Sequence, residues 1–288
     1  MNTAFIKTFQ VREYECDAYG HLNNANYVRY LHETTLEALN GMSAPLARSG
    51  SVDGVWFPHE LFVDYLQPAY YSDLLQVQAQ IVLQDEGQLI WEYKVHKETV
   101  ADELVRARLI YGLIDREDGE SQPIPPSLVG TIAAEKLIDV EFPRLPPHPT
   151  GGPFTRPWFV QWRDVSSDGV VQVSAYLDYL LDFVLQAAAA CGWSHQHAMR
   201  AGYAAVVRRK WLKIFRPARF GDELQLSTWL SAIKRSSVTR HFTIDRLPGG
   251  ERIGEAHTLW VGVDLQTGRP VRIPQTWEQD FKSQISSD

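Results

Sequence analysis

From Phe5 to Arg12 apolar and polar residues alternate, the period of a half-buried strand, and Trp158 to Arg163 forms a matching run later in the chain. A helix is predicted after each. In the first, Tyr27, Tyr30, Leu31, Thr34 and Leu36 to Leu39 make one apolar face behind the cap candidates Asn23 and Asn24, and Gly41 ends it. The second, from Ala175 to Cys191 with Gly192 behind it, is apolar almost all round, the mark of a helix buried on several sides. Four strand-like runs follow each helix: Val55 to Leu66, Asp73 to Gln84, Leu89 to Glu98 and Glu103 to Asp115, then Ala204 to Phe215, Glu223 to Ala232, Ser237 to Asp245 and Arg252 to Asp264. Turns are expected at Gln67-Pro68, Asp85-Glu86-Gly87, Arg216-Pro217 and Pro248-Gly249-Gly250, and Pro123 to Pro126 leaves a sheet edge irregularly.

The two series are one pattern repeated. Tyr27, Tyr30, Pro68, Asp73, Asp115, Gly119 and Pro125 recur as Tyr176, Tyr179, Pro217, Asp222, Asp264, Gly268 and Pro274 at a constant offset of 149 residues (176 − 27). Such a duplication predicts two α+β domains, each a long helix lying across a mainly antiparallel five-stranded sheet. Residues 1–142 and 154–288 are the expected domains. Between them, 143–153 holds five prolines and suits a stiff extended linker.

The copies differ where chemistry is expected. The first has Asp17, Gly20, His21 and Asn23 where the second has Ser166, Gly169, Val170 and Gln172. The run Asp17-Ala18-Tyr19-Gly20-His21-Leu22-Asn23-Asn24-Ala25-Asn26-Tyr27 resembles the signature of hotdog-fold acyl thioesterases of the 4-hydroxybenzoyl-CoA thioesterase type. The tandem arrangement also looks like the plant acyl-carrier-protein thioesterases, which carry Asn where this chain has Tyr19. The resemblance implies a tandem double hotdog, with a curved sheet wrapped round each helix, the two units paired edge to edge and active sites near their interface. It further implies hydrolysis of an acyl-CoA or acyl-carrier-protein thioester, with the retained motif in the first domain and a degenerate one in the second.

Thioester hydrolysis needs a carboxylate, as nucleophile or as general base, and donors for the oxygen that becomes negative. By the resemblance Asp17 supplies the carboxylate and the backbone N–H of Asn24 the oxyanion donor, with Gly20 allowing a tight loop. Asp17 alternatively forms an Asx turn or a cap, and Asn23 and Asn24 are ordinary cap and turn formers. His21 either assists Asp17 through its imidazole or makes a structural hydrogen bond in the loop. Asn23 and Tyr27 are candidate substrate contacts. Arg208, Arg209 and Lys210 are candidates for the phosphates of coenzyme A or of a carrier's phosphopantetheine, against a solvated basic strand. Glu33 and Glu37 read as exposed helix charges.

Composition narrows the classes. A net charge of −7 argues against nucleic acid as a partner. Two cysteines are too few for a disulfide framework and suit a reducing, cytoplasmic setting. With no run of 18 apolar residues, membrane insertion is not expected. His195 and His197 lack further ligands at a telling spacing, so neither a metal nor a separate cofactor is expected; coenzyme A or phosphopantetheine enters as part of the substrate. The expected partners are the acyl thioester and an acyl carrier protein, and the expected assembly is a monomeric pseudo-dimer or a homo-oligomer of it. Competing functions are a non-catalytic acyl-thioester-binding or assembly protein and a hotdog dehydratase or hydratase.

Overall fold

A computed structural model describes residues 4–41, 54–84, 87–98, 100–124, 140–231 and 233–286. The chain divides into two compact units: Met1–Val140 with Ser167–Gly169, and Glu141–Ser166 with Val170–Asp288. The first contains β1 (Phe5–Gln10), α1 (Asn24–Gly41), β2 (Gly54–Tyr65), β3 (Leu74–Gln84), β4 (Leu89–Lys97), β5 (Val100–Asp115) and the short β6 (Ser121–Gln122). The second contains β7 (Phe154–Phe159), α2 (Val173–Ala190), α3 (His195–Arg200), β8 (Tyr203–Ile214), β9 (Glu223–Ser231), β10 (Ser237–Leu247), β11 (Glu251–Asp264) and α4 (Trp277–Asp280).

Strand order in the first unit is β1-β3-β4-β5-β2, with β6 beside β5; in the second it is β7-β9-β10-β11-β8. The named pairings in both are antiparallel. Alternation along the strands supplies the core face: in β3, Leu75, Val77, Ala79 and Ile81 are buried while Gln76, Gln78 and Gln80 between them are half-buried. The helix α1 lies against β1 and β3 and buries Tyr27, Tyr30, Leu31, Thr34 and Ala38, a stripe at helical spacing. Phe9 stacks on Tyr30 at 4.3 Å, and at the repeat offset Trp158 meets Tyr179 at 5.4 Å with the rings tilted by 47°.

The predicted first strand of the second copy is displaced. It runs Phe154–Phe159 rather than Trp158 to Arg163, because the chain turns into a short 3-10 helix at Trp162–Asp164. The Asp164 carboxylate holds that turn by accepting the Gln161 N–H at 3.0 Å. Pro157 is tolerated inside β7 because β9 alone pairs with that strand within the unit. The first copy does the same with Glu15, whose carboxylate accepts the Arg12 N–H at 2.8 Å and ends β1 at Gln10. Of the predicted turns and exits, Asp85, Glu86, Pro125 and Pro126 lie outside the described residues, as does Ala232.

The proline-rich segment groups with the second unit and packs on one face of its sheet. Phe142 meets the His257 ring edge-on at 5.2 Å, His148 lies 4.5 Å from Trp229, and the Pro147 carbonyl accepts the Ser286 hydroxyl at 2.7 Å. Trp229, His241 and His257 are buried there. No described helix is long and apolar enough to cross a membrane.

Candidate active site

The sequence between β1 and α1 folds into a closed loop. Cys16 and Leu22 form an isolated antiparallel bridge. Within it the Asp17 N–H donates to the His21 carbonyl at 2.7 Å and the Gly20 N–H donates to the Asp17 carbonyl at 2.9 Å. Gly20 sits at φ +78°, a left-handed conformation that glycine adopts without a Cβ penalty. The side chain of Asp17 completes an Asx turn: Oδ1 accepts the Tyr19 N–H at 2.8 Å and the His21 N–H at 3.2 Å. Among the described residues Oδ2 carries no hydrogen bond.

The end of this loop delivers the chain to α1. Leu22 donates its N–H to the Ala69 carbonyl at 2.8 Å, and Asn23 donates to the Glu15 carbonyl at 2.9 Å. Asn23 is the helix cap, its Oδ1 accepting the Ala25 N–H at 2.9 Å while its carbonyl takes the Asn26 N–H at 2.9 Å. Asn24 begins the helix, and among the described residues its N–H has no partner. An open N–H in a first turn, with the helix dipole behind it, favours negative charge.

Of the two roles expected for His21, the geometry displays the loop hydrogen bond. Its backbone N–H reaches Asp17, whereas its ring packs edge-on against Tyr70 at 5.2 Å. Tyr27 is buried, and its hydroxyl accepts the Ala69 N–H at 3.0 Å, tying α1 to the segment after β2. Glu33 and Glu37 both pair with Lys7, the former at 3.3 Å.

In the second unit the same frame stands with other side chains. The Ser166 N–H donates to the Val170 carbonyl at 2.9 Å, Val171 donates to the Ala218 carbonyl at 2.8 Å, and the Tyr176 hydroxyl accepts the Ala218 N–H at 2.7 Å. Gly169 has φ +81°. Gln172 occupies the cap position without a side-chain cap bond. The loop geometry is therefore duplicated, while the carboxylate and the cap are confined to the first unit.

The basic cluster does not simply alternate toward solvent. Arg208 falls at the β-bulge between the pairs Val207 with Trp260 and Arg209 with Leu259. Arg209 and Arg208 are half-buried, and the Arg209 guanidinium lies 5.5 Å from the Trp211 ring. Lys210 is buried, and burial lowers its ammonium to about 8 despite the opposing charge of Asp178.

Three polar groupings escaped the sequence reading. Glu15 is a buried carboxylate that accepts the Tyr30 hydroxyl at 2.6 Å, and Asp164 takes Tyr179 at 2.7 Å in the second unit. Under α1, His32 Nδ1 meets the Tyr111 hydroxyl at 3.0 Å, and Thr35 bonds Tyr93; burial lowers His32 to about 4. In the second unit the Nδ1 atoms of His241 and His257 are 2.7 Å apart, with Ser231 Oγ 2.7 Å from His241 Nε2. The signal for the Glu15 and Asp164 pairs was present in the sequence, since each acid and its tyrosine recur at the repeat offset. His195 and His197 sit on α3, where His197 packs against Trp193 at 4.9 Å. Among the described residues no group of three or more His, Cys, Asp or Glu is placed to hold a metal ion.

Residues 11–132 match the model of the Thioesterase-like superfamily, and residues 151–281 match that of the Acyl-ACP thioesterase N-terminal domain. Each half of the chain thus matches a thioesterase family model. The acyl-CoA thioester hydrolase YbgC of Escherichia coli O6:H1 is 28% identical over 131 residues, 45% of this chain and 96% of that protein. The 12:0-ACP thioesterase of Umbellularia californica superposes with a TM-score of 0.69 at 14% identity, covering 90% of this chain and 94% of that one. An acyl-ACP thioesterase of Bacteroides thetaiotaomicron gives a TM-score of 0.69 at 14% identity over 89% of this chain and 97% of its own. These likenesses make the fold of the tandem thioesterase hotdog-type with two domains and antiparallel strands.

Proposed function

We propose that the tandem thioesterase, a thioester hydrolase by family, works through the first unit, with Asp17 as its carboxylate and the Asn24 N–H as its oxyanion donor. The observation that carries this reading is a division of labour. Asp17 Oδ1 is occupied by two backbone N–H groups, its Oδ2 is left open, and the open Asn24 N–H begins the helix that follows the same loop.

A thioester carbonyl accepting the Asn24 N–H is polarised where negative charge develops. Either Asp17 Oδ2 attacks the carbonyl carbon, giving an acyl-enzyme that water cleaves, or it takes a proton from the water that attacks. Both routes break the C–S bond and release a thiol and a carboxylic acid. The leaving thiol is that of coenzyme A or of a carrier-bound phosphopantetheine, in keeping with relatives named for acyl-CoA and for acyl-ACP substrates.

Asp17→Asn tests the assignment with little structural cost, since an amide oxygen can still accept the Tyr19 and His21 N–H groups. Hydrolysis of acyl-CoA should fall by about 10²-fold for loss of a positioned acid–base group, with substrate affinity retained. Unchanged turnover in the folded variant would return Asp17 to a purely structural Asx turn. Trapping an acyl group on Asp17, or finding oxygen from labelled water in its carboxylate after one turnover, identifies covalent attack; label confined to the product together with no acyl group trapped on Asp17 identifies activation of water.

A further inference from the structure

One row of residues crosses the sheet at the same place in both units. In the first, cross-strand pairing links Leu61 with Leu109, Leu109 with Trp91 and Trp91 with Ile81, and all four are buried and apolar. At the repeat offset the second unit pairs Lys210 with Thr258, Thr258 with Arg240 and Arg240 with Leu230. Directly paired residues share a face, so two cations and a hydroxyl stand where the first unit has hydrocarbon.

This row is no solvated edge. Lys210 is 2% exposed, Thr258 0% and Arg240 3%. It faces α2: Arg240 Nη1 donates to Gln284 Oε1 at 3.1 Å, and Gln284 Nε2 donates to the Ala187 carbonyl at 3.0 Å. The remaining Arg240 hydrogen bond, to Thr228 Oγ1 at 3.5 Å, is also neutral. Among the described residues Lys210 has no hydrogen bond and Arg240 no carboxylate partner, and Thr258 Oγ1 is buried without a partner. Asp178 on α2 acts on Lys210 only through its charge, and near Arg240 the ionisable neighbours are His241, on the opposite face of the strand, and Cys191, whose sulfur accepts from Gln284.

Buried cations without a hydrogen-bonded anion carry a desolvation cost that a bound anion removes. Neighbouring strands are about 5 Å apart, so Lys210 and Arg240 flank Thr258 from backbones about 10 Å apart, a span their long side chains can close on one small anionic group. The surroundings specify the remainder of the ligand. On the same face lie Leu212, Phe242 and Ile244, and Phe183 of α2 is buried as well. We infer that the second unit binds a free carboxylic acid with an apolar tail, its carboxylate held by Lys210, Thr258 and Arg240 and its tail lying between α2 and the sheet.

Such an acid has the chemistry of the product that thioester hydrolysis releases, so a product-sensing role rests on the proposed function. Binding itself does not. Octanoate, 1-octanol and inorganic phosphate added to the full-length protein separate the possibilities by thermal shift and calorimetry. Octanoate should raise the Tm and bind, with octanol and phosphate much weaker. Lys210→Met and Arg240→Met should each weaken octanoate by about tenfold, the scale of one lost charge-assisted hydrogen bond. Asp17→Asn should leave octanoate affinity unchanged whether or not that carboxylate is catalytic.

Thr258→Val, which keeps the side-chain shape, reads the site if a cation variant fails to fold, and it should weaken octanoate without affecting octanol. Equal binding of octanoate and octanol, or full octanoate affinity in Lys210→Met and Thr258→Val, overturns the proposal. Phosphate binding as tightly as octanoate and lost with the same substitutions overturns the assignment to an acid with an apolar tail.

Discussion

The two oxygens of Asp17 have different surroundings: Oδ1 holds the loop, and the reagent role proposed for this residue falls to Oδ2. Serine at position 166 cannot copy it, because a hydroxyl lacks the second oxygen and the charge. A similar division runs through Arg209 and Lys210, neighbours that strand geometry sends to opposite faces. Arg209, on the face opposite the buried Lys210, is the candidate for the nucleotide phosphates of coenzyme A that a substitution tests most directly. Arg209→Ala should therefore raise KM for acyl-CoA by about tenfold or more while leaving a short acyl-pantetheine unaffected, because a charge-assisted contact to phosphate contributes roughly 1.5–3 kcal/mol and pantetheine lacks the nucleotide. Equal effects on the two substrates would make Arg209 part of the sheet's packing instead.

At the scale of elements, the segment from Glu141 to Pro153 also covers one face of the second unit's sheet. Beneath it burial drives His241 down to about 3, helped by the charges of His257 and Arg240, and drives His257 down to about 4. Both imidazoles are thus neutral in the fold, whereas in the unfolded chain they take up protons near pH 6.5. The unfolded state then binds more protons between pH 6.5 and about 4, so the stability from this pair is fully present above 6.5 and is lost on acidification. The loss is at most about 1.4 kcal/mol per histidine per pH unit. His257→Gln should flatten the dependence of unfolding free energy on pH between 6.5 and 4.5 by about one proton, measured by denaturant titration at each pH. A slope identical to wild type would remove His257 from this linkage.

For the whole molecule, duplication preserved the frame and released the chemistry. The hydrogen bonds that close the loop, anchor the helix tyrosine and cap the sheet turns recur in both units, whereas the Asx carboxylate, the Asn cap and the apolar row under α1 do not. The consequence for activity is asymmetry. Ser166→Ala should change acyl-CoA turnover by less than about twofold, against the roughly 10²-fold expected for Asp17→Asn. Steady-state kinetics on the two variants check this directly, and a large loss in Ser166→Ala would mean that the second loop takes part in hydrolysis.

What could be read from residues alone was whatever local periodicity and the repeat encode. The 3.6-residue stripe of α1, the alternation of β3 and the offset of 149 (176 − 27) lie in neighbouring positions of one chain, so the helices, most strands and the thioesterase motif were visible in the sequence. The end of β7 was not, because a capping carboxylate at Asp164 decides where that strand stops. Burial of Lys210 was hidden for a related reason. On its own strand it reads as one of a run of basic residues, and only its pairing with Thr258, then Arg240, reveals a cationic row inside the second unit. His241 and His257 lie 16 residues apart and acquire their low basicity from burial, to which the charges of His257 and Arg240 add at His241. Local pattern determines which residues form elements; the dielectric surroundings and partners of a charge are set by segments distant in the chain, and those the tertiary structure alone supplies.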